Sequence, residues 1–265
     1  MSDRTVSWTP LRLLLAPIRL LLSAGGFFVF GLAGLFFRFP LAPWLNRERN
    51  LRVRHRRARL IVQRWFAVFV ACASTFHLIR VKVIHPERLN RPGLLIVANH
   101  PSLLDIVCLL SLIPNGTTIV KAALTQNPFT AAPIEAAGYV NNGAGPEILG
   151  PILDDFESGA SFVIFPEGTR TPSDLPAGEA PKLHRGAAAL AFEAGRPFTP
   201  VRITASPRWL TKDRHWLKIP PVAMTLTLEV LEDIPLGELQ AVYNERPAIA
   251  CRKLTKILQT QLFNN

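Results

Sequence analysis

The chain has 265 residues, 49% of them hydrophobic and 18% charged, with only three Cys. That excludes a disulfide-stapled miniprotein and a disordered tail, and the length suits one substantial domain with an appendage. The formal charge is +11, yet residues 1–91 carry 16 basic against three acidic side chains and the remainder 14 against 16, so the whole excess lies in the first third. A nucleic-acid binder carries a basic stripe on its folded domain, and the near-neutral remainder shows none.

In chain order, the first feature is Leu20–Phe37, LLLSAGGFFVFGLAGLFF, an uncharged run of 18 residues. As a helix rising 1.5 Å per residue it reaches about 27 Å, against about 30 Å of bilayer hydrocarbon. Arg12 and Arg19 precede it and no small-x-small cleavage site follows, so it reads as a retained anchor rather than a signal peptide. Then come Arg47, Arg49, Arg52, Arg54, Arg56, Arg57, Arg59 and Arg64, opposed only by Glu48. Such a cluster is expected to stay on the cytoplasmic side and touch anionic headgroups, at about 1 kcal/mol per residue. A second apolar run, Trp65 to Ile79, contains His77 and suits an interfacial or re-entrant segment better than a crossing. Residues 1–78 therefore read as a membrane-anchoring helical region at the cytoplasmic face of the inner membrane, and residues 79–265 as the folded domain. Cys72, Cys108 and Cys251 lack paired spacing and sit among apolar neighbours, which fits packing rather than metal or redox chemistry.

From Leu78 onward, short apolar runs alternate with helical stretches. Strands are expected at Ile79–Ile84, Leu94–Ala98, Thr117–Val120, Ser161–Phe165, Phe198–Ile203 and Met224–Val230, with a weak one near Tyr139. Helices are expected at Leu103–Leu112, Pro146–Glu157, Arg185–Ala194 and Ala248–Leu262, and Thr171–Lys182 reads as a loop. The alternation implies an α/β domain, a mixed, largely parallel sheet flanked by helices. In such sheets, active residues gather where a strand ends and the chain turns toward a helix.

Two such junctions carry unusual polar residues. After Leu94–Ala98 come Asn99, His100, Pro101, Ser102 and, three residues later, Asp105. Pro101 suits a first helical turn, so the Asp105 carboxylate is placed to fold back onto the imidazole. An Asp bonded to one ring nitrogen fixes the tautomer and leaves the other nitrogen as a base near neutral pH. After Ser161–Phe165 come Pro166, Glu167, Gly168, Thr169 and Arg170. Gly168 permits positive φ, Glu167 can orient a hydroxyl, and Arg170 offers a planar fork for phosphate or carboxylate. Ser102 lacks a Gly-x-Ser-x-Gly elbow and reads as a helix cap rather than a nucleophile.

Together, Asn-His-Pro-Ser-x-x-Asp and, about sixty residues later, Phe-Pro-Glu-Gly-Thr-Arg resemble the lysophospholipid acyltransferase family, that of 1-acylglycerol-3-phosphate acyltransferase. The resemblance continues through Val120-Lys121, Asn127-Pro128-Phe129, Lys182, Arg185-Gly186-Ala187 and Pro197–Val201, and covers roughly residues 80–230. It implies a glycerolipid acyltransferase-like fold, His100 as general base with Asp105 in support, and an acceptor site at Glu167, Gly168, Thr169 and Arg170. Lys121, Lys182 and Arg185 join as further substrate-binding residues. One block departs from the family: Gly138-Tyr139-Val140-Asn141-Asn142 lacks the Arg usual there, which weakens the case for a simple lysophosphatidate acceptor.

The implied reaction moves an acyl chain from acyl-coenzyme A or acyl-carrier protein, a co-substrate rather than a cofactor, to a lysolipid hydroxyl in the membrane. Backbone donors at the helix start are expected to hold the oxyanion, and no metal is called for. Trp209, Trp216, Arg208, Lys212, Arg214 and Lys218 form a second aromatic and basic stretch, either an interfacial lip or a dock for an acidic carrier protein. The rivals are acylation of a specialised acceptor, such as an aminolipid or a polyene-bearing glycolipid precursor, a membrane-bound lipid hydrolase, and a non-catalytic lipid-binding scaffold.

Overall fold

The fold is that of a computed structural model describing residues 9–143, 145–172, 175, 179–213 and 215–263. Arg214 and five residues of the expected 171–182 loop lie outside the described residues.

The apolar run becomes the middle and end of α1 (Pro10–Phe36), longer than expected because its helical pattern starts ten residues earlier. A π turn, Phe37–Leu41, contains Pro40, whose ring removes a backbone donor; the short α2 (Ala42–Leu45) follows. Asn50 caps α3 (Leu51–Thr75), its side chain accepting from the N–H groups of Arg52 and Val53. Arg52 to Arg64 of the Arg cluster and most of the second apolar run thus share one 25-residue helix, with Arg47 and Arg49 just before it. Ala58, Val62, Phe66, Phe69 and Ala73 recur at helical spacing and turn inward, packing α3 along the domain's first crossover helix.

The domain follows as β1 (Ile79–Ile84), β2 (Leu95–Ala98), α4 (Asp105–Leu112), β3 (Gly116–Val120), α5 (Ala122–Gln126), α6 (Ala131–Ala136) and β4 (Val140–Asn141). It continues through α7 (Leu149–Glu157), β5 (Ser161–Ile164), α8 (Gly186–Ala194), β6 (Phe198–Ser206), β7 (Met224–Val230), α9 (Leu239–Glu245) and α10 (Pro247–Phe263). Every expected strand and helix is present within a few residues. The additions are the short α5, α6 and α9, too brief to show a helical period. The seven strands run in the order β1-β7-β6-β2-β5-β3-β4, all adjacent pairs parallel except β6 with β7.

Strand alternation splits the core in two. Ile96, Ala98 and Val163 face one side, with α3, α4 and part of α1; Leu95, Val97, Phe162 and Ile164 face the other, with α7, α8 and α10. The C-terminal ends of β2, β3, β4 and β5 share one edge, where His100, Lys121, Asn142 and Glu167 follow their strands.

Arg59 departs from the expectation for its cluster. It is 2% exposed, so it cannot reach headgroups. Its Nε donates to Ala137 O at 2.7 Å, Nη2 to Asp155 Oδ2 at 2.7 Å and Nη1 to Asn115 Oδ1 at 3.4 Å. Arg47, Arg49, Arg56, Arg57 and Arg64 remain exposed. Because α3 turns Arg59 toward the domain, one charge of the run becomes a buried tie from α3 to α7 and to the turns at Asn115 and Ala137. Removing one partner of such a pair strands the other charge, at a cost of about 3–5 kcal/mol. We expect Arg59→Ala to destabilise the protein by about 3 kcal/mol, and Asp155→Ala added to it to recover part of the loss, read by chemical denaturation in micelles.

Candidate active site

Where β2 stops, Asn99 substitutes for the next rung of the sheet. Its Nδ2 donates to Ile203 O at 2.8 Å and its Oδ1 accepts from Ile203 N–H at 2.7 Å, so the buried side chain holds β2 to β6 as main chain would. That tie presents His100, half-buried, at the strand mouth.

The structure brings His100 and Asp105 together. Nδ1 of His100 lies 2.9 Å from Asp105 Oδ2, which also accepts the Ser102 N–H at 2.7 Å. An oxygen already accepting a main-chain donor favours the arrangement in which Nδ1 carries the ring proton, leaving the Nε2 lone pair free. Asp105 opens α4 two residues later than expected, so its carboxylate folds back over the Ser102–Leu104 turn. The side chain is fully buried, and burial raises its proton affinity above that of an exposed carboxyl. The donors from His100 and Ser102, and the positive Arg170 nearby, oppose that rise. Phe165 stacks on the imidazole, with centroids 4.2 Å apart and planes at 19°. Ser102 is buried, its Oγ accepting from Leu104 N–H at 3.3 Å, which matches its reading as a cap.

The second junction folds onto the first. Gly168 has φ +66°, and a Cβ there would sit 3.2 Å from the His184 ring, so this turn requires glycine. Glu167 was expected to orient an acceptor hydroxyl, but it is buried and turned inward. Its Oε1 accepts from His100 N–H at 2.9 Å and from the Thr171 hydroxyl at 2.8 Å, and its Oε2 has no partner among the described residues. Burial raises its proton affinity, and those donors pull it back. Arg170 was expected to meet phosphate, yet its Nη1 donates to Leu210 O at 2.8 Å and Thr211 O at 2.9 Å. Leu210, held at φ +56°, also accepts the Leu103 N–H, at 3.1 Å.

In the turn before α4, Ser102, Leu103 and Leu104 give their N–H groups to Asp105 Oδ2, Leu210 O and Ser102 Oγ, so these three amides are engaged within the fold. The remaining predicted residues ring the same edge without touching His100. Lys121 is exposed after β3; Lys182 and Arg185 are exposed before α8, in a segment held to the Glu167 turn by His184 N–H to Pro166 O at 2.7 Å. The departing block stays uncharged: the Asn141 and Asn142 amides cap the N–H groups of Gly143 and Ala122.

Sequence reasoning missed Phe165, Leu210 and Thr171 as parts of this site. Thr171 had one usable signal, a hydroxyl four residues after Glu167 that was read as the start of a loop. The aromatic stretch divides. Trp209 is buried and donates Nε1–H to Trp216 O at 3.3 Å, while the half-exposed Trp216 meets Phe27 of α1 edge-on at 5.7 Å.

The pattern of the Acyltransferase family matches residues 80–204, which span both junctions. A 1-acyl-sn-glycerol-3-phosphate acyltransferase of Pseudomonas aeruginosa is 28% identical over 207 residues, covering 76% of this chain and 74% of that one. The fold is similar to the crystal structure of the 1-acyl-sn-glycerophosphate (LPA) acyltransferase PlsC from Thermotoga maritima, with a TM-score of 0.63 at 24% identity over 93% of this chain and 97% of that chain. Over residues 80–204, which include both polar junctions on their shared sheet edge, the chain is similar to the acyltransferase family.

Proposed function

We propose that the protein transfers a fatty acyl chain from a thioester, acyl-coenzyme A or acyl-carrier protein, to the free hydroxyl of a lysophospholipid of the 1-acylglycerol-3-phosphate type. The observation that carries this reading is the His100 Nδ1 to Asp105 Oδ2 contact of 2.9 Å at a strand mouth beside the Glu-Gly-Thr-Arg turn. With Nδ1 engaged, Nε2 removes the acceptor proton as the hydroxyl oxygen attacks the thioester carbonyl. The resulting imidazolium is stabilised by Asp105 and returns the proton to the departing thiolate sulfur. The ester forms as the thioester breaks, and no oxidant is consumed.

Similarity to the Pseudomonas 1-acyl-sn-glycerol-3-phosphate acyltransferase, together with the exposed Lys121, Lys182 and Arg185, supports a phosphate-bearing acceptor. The uncharged Asn141-Asn142 block favours one second reading, the same chemistry on a specialised, less anionic acceptor. Mixed lysolipids offered to the purified enzyme separate the two by which product forms, and a labelled acyl group recovered as free acid would instead mark a hydrolase.

Membrane attachment belongs to the same proposal. α1 leaves Leu14, Ile18, Leu21, Phe28, Leu32 and Phe36 exposed as one apolar stripe, and Leu14–Leu45 is long and apolar enough to cross a bilayer. The exposed arginines of α3 would set this end at the cytoplasmic face. Placing acid groups on the stripe (Leu21→Glu with Phe28→Glu) should move the protein out of the membrane pellet while its thermal midpoint in detergent holds.

His100→Ala should lower turnover by about 10²–10⁴-fold with the fold retained. Asp105→Asn should cost about 10⁴-fold in turnover by disturbing the tautomer. Its effect on stability should be opposite in kind. Burial raises the folded-state pKa of Asp105, so ionisation at pH 7 costs folding free energy, and that cost fades as the pH falls below the raised value. Asp105→Asn should therefore keep or raise the thermal midpoint at pH 7, with the difference from the natural protein narrowing toward lower pH.

A further inference from the structure

We infer that Glu167 and Thr171 are positioning residues for His100: the turn that ends β5 clamps the main chain of the base, and Glu167 serves that clamp rather than the acceptor. The inference rests on the reading of His100 as general base. Both main-chain groups of His100 are held by this one turn. Its N–H donates to Glu167 Oε1 at 2.9 Å and, in a second, longer branch, to Thr171 Oγ1 at 3.3 Å; its C=O accepts the Thr171 N–H at 2.7 Å. The Thr171 hydroxyl donates to the same Oε1 at 2.8 Å, which fixes the carboxylate that fixes the histidine.

Glu167 is 5% exposed and its Oε2 is buried, so neither oxygen is presented to solvent as a ligand for a lysolipid headgroup. The ring of His100 is steered by Asp105 and Phe165, and its backbone by Glu167 and Thr171. A small rotation of the His100 peptide would carry Nε2 away from the acceptor hydroxyl, and misplacement on the order of 1 Å costs about 10²-fold in catalysis.

The variants divide these effects. Thr171→Val keeps shape and charge but removes the hydroxyl; Thr171→Ser restores it; Glu167→Gln keeps an acceptor oxygen for both donors but removes the charge. The full-length protein in detergent is assayed with oleoyl-lysophosphatidate and palmitoyl-coenzyme A, kcat and each KM being read separately. Thr171→Val should lower kcat roughly ten-fold, the weight of a lost hydrogen bond to a charged group, with the lysophosphatidate KM within about two-fold. Thr171→Ser should recover most of that loss. Glu167→Ala, which removes the acceptor of both donors, should lower kcat by about 10²-fold with the lysophosphatidate KM within about two-fold, and Glu167→Gln should recover most of that loss.

A raised lysophosphatidate KM at unchanged kcat, failure of Thr171→Ser to rescue, or failure of Glu167→Gln to restore what Glu167→Ala loses would each overturn the clamp. If Thr171→Val unfolds, as its thermal midpoint would show, the kcat and KM of the Glu167 variants decide alone. His100→Ala, run alongside, separates the two levels: turnover in that variant would sink the base assignment itself, whereas an inactive His100→Ala beside unaffected Thr171 and Glu167 variants would sink the clamp alone.

Discussion

A fully buried carboxylate beside a half-buried imidazole is the constraint on which this site depends. Asp105 is shielded from bulk solvent, and its Oδ2 relies on two donors, the Ser102 N–H and the ring of His100. Burial works against the charge, and the donors work for it. The balance requires the Ser102–Leu104 turn to be wound tightly over Asp105, which in turn requires Leu210 to supply the carbonyl that accepts Leu103 N–H. A stretch over a hundred residues away in sequence thus supports the geometry of the His100–Asp105 pair.

The same loop connects the site to the N-terminal helices. Leu210 and Thr211 hold Arg170, Trp209 is joined to Trp216, and Trp216 rests against Phe27 of α1. On the opposite flank, α1 runs so close to the Asn127-Pro128-Phe129 segment that a Cβ on Gly34 would sit 1.7 Å from Phe129 O, so only glycine fits there. Arg59 adds the buried tie between α3 and the domain. In the proposed function, these contacts let a helix with an exposed apolar stripe hold the active edge at a defined height over the bilayer, where lysolipid and acyl chain are already concentrated.

Legibility differed by residue for physical reasons. The buried strands Leu95–Ala98 and Ser161–Ile164 are short apolar runs bounded by polar turns, and such runs report their own burial. His100 and Asp105 could be paired from sequence because a turn of five residues brings them together locally. Arg170 and Glu167 could not be oriented, since their partners are Leu210 and Thr211 in one case and His100 in the other, and the separations are 40, 41 and 67 residues. Arg59 was indistinguishable within a run of eight arginines because its inward direction is set by Asp155, 96 residues on.

The amino-acid order by itself determined the sheet-and-helix alternation, the apolar N-terminal helix and the two polar strand ends of the candidate site, because each is written in local periodicity and turn-forming residues. Tertiary structure alone decided that Glu167 faces the histidine backbone, that the Ser102, Leu103 and Leu104 amides are engaged within the fold, and that one arginine of a surface-looking cluster is a core residue. The physical reason is that a polar side chain in a folded interior points wherever an unsatisfied partner lies, and those partners come from distant segments that no local pattern names.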